Sequence, residues 1–147
     1  MAVHHWIFKT EPSDYSWSDL VREQRTAWTG VRNALAQQHL RSVAEDDDVL
    51  IYHTGTERTA VGLARAASAP YPDPAAPDGK YVTLDLVPVR PLAHPVTLAA
   101  IKEDAAFKDL ALVRMGRLSV VPVTGEEWER MMELAEGAGD QGPGIRG

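Results

Sequence analysis

Short apolar stretches that read as strands are scattered along this chain, at His4–Lys9, Val49–His53, Ala60–Ala67, Tyr81–Val89 and Leu118–Val123, and helices do not separate them in regular alternation. A doubly wound parallel sheet needs strands and helices in strict alternation. Here the helical stretches come in pairs, and three strands follow one another directly. The resulting order is β, α, α, β, β, β, α, α, β, α. It excludes the doubly wound class and predicts an α+β domain, a small and strongly curved sheet or barrel with helices closing its ends.

Local signals set the boundaries of these elements. Glu11-Pro12-Ser13-Asp14 ends the first strand, since proline disfavours helix in the preceding residue and supplies no amide donor. Ser16 predicts a cap on a helix over Ser18–Glu23, with Asp19 near the positive end of its dipole. Thr29-Gly30 precedes a helix expected over Val31–Val43, which puts Asn33 two residues inside it. Glu45–Asp48 reads as a solvated turn. Four prolines within the eleven residues 69–79 predict a loop, because proline is excluded from sheet interiors. Thr97 opens a short helix to Lys102, and Ala105–Leu112 forms a second. Thr124 caps a helix ending at Glu136, with Glu126 and Glu127 in its first turn. Residues 137–147 hold five glycines and a proline with almost no core-forming side chain, so they are expected to be a disordered tail behind a domain of residues 1–136.

Composition excludes several function classes. A length of 147 residues suits one domain, and the absence of cysteine removes disulfides, thiolate nucleophiles and sulfur-ligated zinc. No apolar run approaches the roughly 20 residues that cross a bilayer, and no secretory signal opens the chain, so a cytoplasmic location is expected. A formal charge of −6 argues against gripping long duplexes by phosphate neutralisation alone. Residues 1–44 nevertheless carry five basic and four acidic side chains, which places any nucleic-acid surface on the first third. Phosphate loops, dinucleotide fingerprints, nucleophile elbows and zinc-binding helices are absent. His4 and His5 alternate across a strand and make a poor chelating pair. No metal and no cofactor are expected, and the expected oligomeric state is a monomer.

Two stretches carry the chemistry. In Trp6–Trp17, WIFKTEPSDYSW, the polar groups Lys9, Thr10, Glu11 and Ser13 leave an apolar strand beside Tyr15 and Trp17. In Trp28–Asn33, WTGVRN, an indole stands before a glycine and a helix start, where unpaired amides can hold a polar ligand edge. Asn33 offers a donor and an acceptor together, as a Watson–Crick edge requires. Trp6 and Trp128 are expected in the core, whereas Trp28 is expected to floor a pocket with little share in stability. Tyr52-His53 at a strand end and Tyr71 in the proline-rich loop are further pocket candidates. Arg114, Arg117 and Ser119 are candidates to face phosphate.

These stretches, with Trp6–Leu20, Val49–His53 (VLIYH), Tyr71–Asp73 (YPD) and Arg117–Trp128 (RLSVVPVTGEEW), resemble the EVE domain of the PUA-like superfamily, related to the YTH domains. The resemblance spans about residues 5–135. It implies a pseudo-barrel of roughly five to six mostly antiparallel strands surrounded by short helices. It also implies a non-catalytic pocket for a flipped, modified nucleobase. A modified cytosine in DNA, 5-methyl- or 5-hydroxymethylcytosine, is the implied ligand. The implied pocket comprises Lys9, Thr10, Glu11, Ser13, Trp28, Val31, Arg32, Asn33, Tyr52, His53 and Ser119, with Arg32, Arg114 and Arg117 on the nucleic-acid backbone. Alternatives are a modified base in RNA, a free nucleoside, or a metal-independent nucleic-acid enzyme using Glu11 and His53.

Overall fold

The apolar stretches WIF and VLIY form the two central strands. In the computed structural model, which describes residues 4–76 and 78–137, β1 (His5–Thr10) pairs in parallel with β3 (Asp48–His53). Trp6, Ile7 and Phe8 are all buried, as are Val49 to His53, so both faces of these strands are covered. Such unbroken burial suits continuous apolar runs better than alternation does. Around them lie β2 (Thr26–Ala27), β4 (Thr59–Ala66), β7 (Asp85–Thr97) and β8 (Val120–Val123). The six strands form one sheet in the order β2-β7-β4-β3-β1-β8, antiparallel at every pairing except β1–β3. The sheet curls into a half-barrel whose end strands, β2 and β8, stay unpaired with each other. The expected curved α+β architecture is what the chain adopts.

Helices close the structure: α1 (Trp17–Glu23), α2 (Ala34–Arg41), α3 (Leu98–Lys102), α4 (Ala111–Arg114) and α5 (Gly125–Glu136). Ser16 and Thr124 cap α1 and α5 in reciprocal capping boxes with Asp19 and Glu127. Gly137 ends α5 in the left-handed conformation at φ 74°, and residues 138–147 of the expected tail lie outside the described residues. Among the described residues, no helix is long and apolar enough to cross a membrane.

Five local expectations need correction. The strand expected over Tyr81–Val89 divides: β6 (Val82–Thr83) pairs with β5 (Tyr71–Pro72) in a small second sheet, and β7 continues to Thr97. The run 69–79 is therefore not all loop. β7 accommodates Pro88, Pro91 and Pro95 because β2 reaches only Asp85 and Leu86, which leaves its outer side an edge, and its register against β4 shifts twice. Ala105–Leu112 is a 3-10 turn, Ala105–Phe107, followed by α4. Asp47, placed in a solvated turn, is buried: its Oδ2 accepts from the Trp6 indole at 3.0 Å and from the Ala44 amide at 2.9 Å. A buried indole N–H requires such a partner. Finally, α2 begins at Ala34, and Asn33 is its N-cap at φ −63°, ψ 135°, not an interior residue.

One close approach fixes the position of α1. The Trp17 ring lies flat against Gly62 of β4, where a Cβ would overlap the ring carbons. Beside it, β3 and β4 slip register between Ile51 and Tyr52. Glycine is required there by space, and the bulge supplies the bend.

Candidate functional site

The two ends of the curled sheet do not meet, and the seam between them is a cleft of about 420 Å³. That volume falls within the roughly 300–1,000 Å³ of small-ligand sites. One wall is the end of β1 with the turn after it: Lys9, Thr10, Glu11, Asp14 and Tyr15. The facing wall is β2 and the segment after it, Thr26 to Arg32, and Ser119 stands at the β8 end.

The first wall is built from turn chemistry. The amides of Asp14 and Tyr15 both donate to the Glu11 carbonyl at 2.9 Å, and Thr10 Oγ1 donates to the Tyr15 carbonyl at 2.6 Å. Glu11 Oε2 accepts from the Ser13 amide at 3.1 Å and from Ser13 Oγ at 3.0 Å. The Tyr15 hydroxyl donates to Glu23 at 2.7 Å. Burial first, then the Glu23 carboxylate, push that phenol up to about 12, despite an opposing bond with Thr26. The Lys9 amide binds the Ser119 carbonyl at 2.9 Å, and its ammonium donates to the Gly116 carbonyl. Burial lowers the Lys9 pKa.

The second wall hangs on one carboxylate. Asp73, from the YPD stretch, has no side-chain exposure. Its Oδ1 accepts from the Ala75 amide at 2.7 Å, and its Oδ2 accepts from the Gly30 amide and Arg32 Nη1, each at 3.2 Å. Burial pushes the Asp73 pKa up, but the Ala75 and Gly30 amides and the Arg32 guanidinium outweigh it and hold it below the ordinary aspartate value. Gly30 takes φ +86°, a conformation that favours glycine. Buried Gln37 adds a second tie, its amide donating to the Val31 and Val82 carbonyls and its oxygen accepting from the Val82 amide. The Trp28 amide donates to the Leu84 carbonyl at 2.8 Å.

Of the expected pocket residues, Lys9, Thr10, Glu11, Trp28, Val31, Arg32 and Ser119 line this cleft. Trp28 differs in one respect from expectation. It is only 9% exposed, packed on Phe8 with ring centroids 5.8 Å apart and edge-on to Tyr15 at 5.9 Å. It is a wall of the cleft and a member of the core at once, so its removal must cost stability. Arg32 is committed to Asp73, with its guanidinium 4.5 Å from the Tyr81 ring centre, instead of reaching free toward a phosphate.

Four expected residues lie elsewhere. Ser13 is exposed beyond Glu11. Asn33 spends its oxygen on the Ala36 amide at 2.9 Å and borders a separate groove of about 580 Å³ with Leu35, Arg114, Met115 and Arg117. Tyr52 borders a smaller cavity of about 170 Å³. His53 is 7% exposed, and both ring nitrogens are taken, Nε2 accepting from the Trp17 amide at 3.0 Å and Nδ1 meeting Glu57 at 2.8 Å. Glu11 and His53 therefore do not converge as an acid–base pair in the cleft. Tyr71 also stays outside it, donating to Asp85, which raises its pKa to about 12. The other lining residues, Asp14, Tyr15, Thr26, Ala27, Thr29 and Gly30, were not among the expected pocket residues.

The EVE domain family model matches residues 4–134. The chain belongs to the EVE domain family. Human thymocyte nuclear protein 1 is 26% identical over 166 residues, covering 90% of this chain and 74% of that protein. This EVE domain is also similar to Rpa0253 from Rhodopseudomonas palustris, at TM-score 0.86 and 40% identity over 90% of this chain and 93% of that one. Human THYN1 in complex with 5-methylcytosine-containing DNA superposes at TM-score 0.83 and 27% identity, covering 90% of this chain and 97% of that chain.

Proposed function

We propose that this EVE domain is a non-catalytic reader that takes a flipped, modified cytosine of DNA into the seam cleft. The reading rests on the match between the cleft's chemistry and a base edge, supported by the likeness to a protein seen with 5-methylcytosine DNA. Trp28 and Tyr15 supply flat apolar surface for the ring. Glu11 and Asp14 supply acceptors for the exocyclic amine, the pairing that carboxylates make with cytosine. Lys9 and the hydroxyls of Thr29 and Ser119 supply donors for its ring nitrogen and carbonyl.

Magnitudes decide what such a cleft can select. Unstacking costs a few kcal/mol, and one stacked aromatic returns roughly 1–3 kcal/mol. A buried donor or acceptor left unpaired costs about 1–3 kcal/mol, so the polar rim discriminates between bases better than the stack does. A methyl group adds roughly 0.8 kcal/mol, a few-fold preference over the unmodified base. Arg114 and Arg117, beside Asn33 in the adjoining groove, carry the strand backbone. With a net charge of −6, affinity is micromolar and its salt slope shallow.

Equilibrium binding to matched oligonucleotides carrying cytosine, 5-methylcytosine, 5-hydroxymethylcytosine or N6-methyladenine, single- and double-stranded, tests this. A cytosine modification should bind best, and excess protein should leave the DNA chemically unchanged. Equal binding to all bases, or a new covalent product, refutes it.

A further inference from the structure

Lys9 separates the seam cleft from the cavity of about 170 Å³ behind it, lining both. Across that smaller cavity stands Arg58, with Tyr52, Gly55, Leu98 and Gly116 around it. The chain carries more acidic than basic side chains, and most of its arginines sit in ion pairs. Arg58 does not: among the described residues its guanidinium has neither a hydrogen bond nor an ion pair. Lys9 has one acceptor, the Gly116 carbonyl, and no carboxylate partner. The Tyr52 hydroxyl, a part of an otherwise buried side chain, likewise has no hydrogen-bond partner. Arg58 also holds an uncommon backbone conformation for a non-glycine residue, φ 45°, secured by its carbonyl accepting from the Leu98 amide at 2.9 Å. Strained backbone of this kind concentrates at functional sites.

The nearby carboxylates are already engaged. Glu57 meets His53, and Glu11 binds Ser13 while lying 2.6 Å from where a Gly55 Cβ would stand. Two cations with spare donors and a free phenol therefore face one small opening without a counter-charge on its lining. We infer that this cavity is a phosphate subsite: Lys9, Arg58 and the Tyr52 hydroxyl hold the phosphodiester next to the nucleotide whose base enters the cleft. The inference rests on the base-reading function proposed above and assigns to Arg58 the backbone contact that Arg32 is not free to make. The shared wall fixes the logic, since Lys9 can touch base and phosphate of one nucleotide together.

A double perturbation tests it. A single-stranded oligonucleotide with one 5-methylcytosine is prepared with its 5′ or 3′ linkage as a neutral methylphosphonate, and binding is followed by anisotropy for the wild-type protein, Arg58→Gln and Lys102→Gln. One neutral linkage and Arg58→Gln should each weaken binding roughly fivefold, and both together no more than the larger single effect. Arg58→Gln should also shrink the salt slope by about 1, and Lys102→Gln, a neighbouring exposed cation, should change nothing. Unchanged affinity in Arg58→Gln, multiplying losses, or an equal loss in Lys102→Gln overturns the subsite while leaving the reader intact. A wild-type protein that binds no modified oligonucleotide overturns both.

Discussion

Replacing Asp73 by asparagine probes the joint that shapes the cleft. The carboxylate is fully enclosed and accepts three hydrogen bonds, from the amides of Ala75 and Gly30 and from Arg32. Asparagine keeps the shape but loses the charge and turns one acceptor into a donor that faces donors. Charge-assisted bonds are worth roughly 1.5–3 kcal/mol each, and breaking a buried pair costs about 3–5 kcal/mol. Arg32 is 38% exposed and recovers part of its solvation, so the net loss should be about 2–4 kcal/mol. Urea unfolding measures it, and the accompanying fall in Tm is on the order of 10 °C. The pH dependence has a definite sign. The native Asp73 pKa is depressed below the ordinary value of about 3.9, so its stabilisation is complete above that value and is lost as pH falls through the native one. The gap between wild type and Asp73→Asn should therefore close on acidification. Because Gly30 loses its anchor, binding of a 5-methylcytosine oligonucleotide should weaken even at temperatures where the variant is folded. A loss below about 0.5 kcal/mol that does not vary with pH contradicts the role assigned to this carboxylate.

Substitutions at three other positions separate structure from recognition. Trp28→Ala should cost about 3–5 kcal/mol in urea unfolding, whereas Trp28→Phe should keep the fold and weaken oligonucleotide binding roughly tenfold. Gly62→Ala should destabilise by about 1–3 kcal/mol and shift tryptophan emission, because the new methyl displaces the Trp17 ring. Gln37→Ala leaves the Val82 amide and carbonyl without their Gln37 partner, while the Val31 carbonyl keeps Arg32, and should lower stability by about 1–3 kcal/mol, seen as a lower urea midpoint.

The parts of the fold legible in the sequence are those governed by neighbours along the chain. Ser16 with Asp19 and Thr124 with Glu127 signal helix starts within four residues, and both capping boxes form. The short apolar stretches mark the main strands, and six of the seven expected cleft residues found in place come from two contiguous segments, Lys9–Glu11 and Trp28–Arg32, with Ser119 the seventh. What escaped depends on distant partners. β2 is two residues long and exists only because Asp85 and Leu86 accept it. β7 runs past three prolines only because one side of it has no neighbour. Asn33 looks like a helix residue by spacing, yet its extended ψ makes it the cap, which turns its carboxamide away from the cleft. Asp47 looks solvated within an acidic run, and only the Trp6 indole across the fold shows why it is buried. Why YPD and WTGVRN belong together is likewise invisible along the chain and plain in space, through Asp73 and Gly30.

The most direct measurement is a two-dimensional NMR titration of the isotope-labelled protein with a short single-stranded DNA bearing one central 5-methylcytosine. Entry of the base into the seam should move the Trp28 indole N–H and the amides of Thr10, Tyr15 and Gly30 first, with the Trp128 indole unmoved beside His5. Shifts confined to the outer edge of β7 or to α5, with the Trp28 resonance stationary at saturation, would show that the base binds elsewhere.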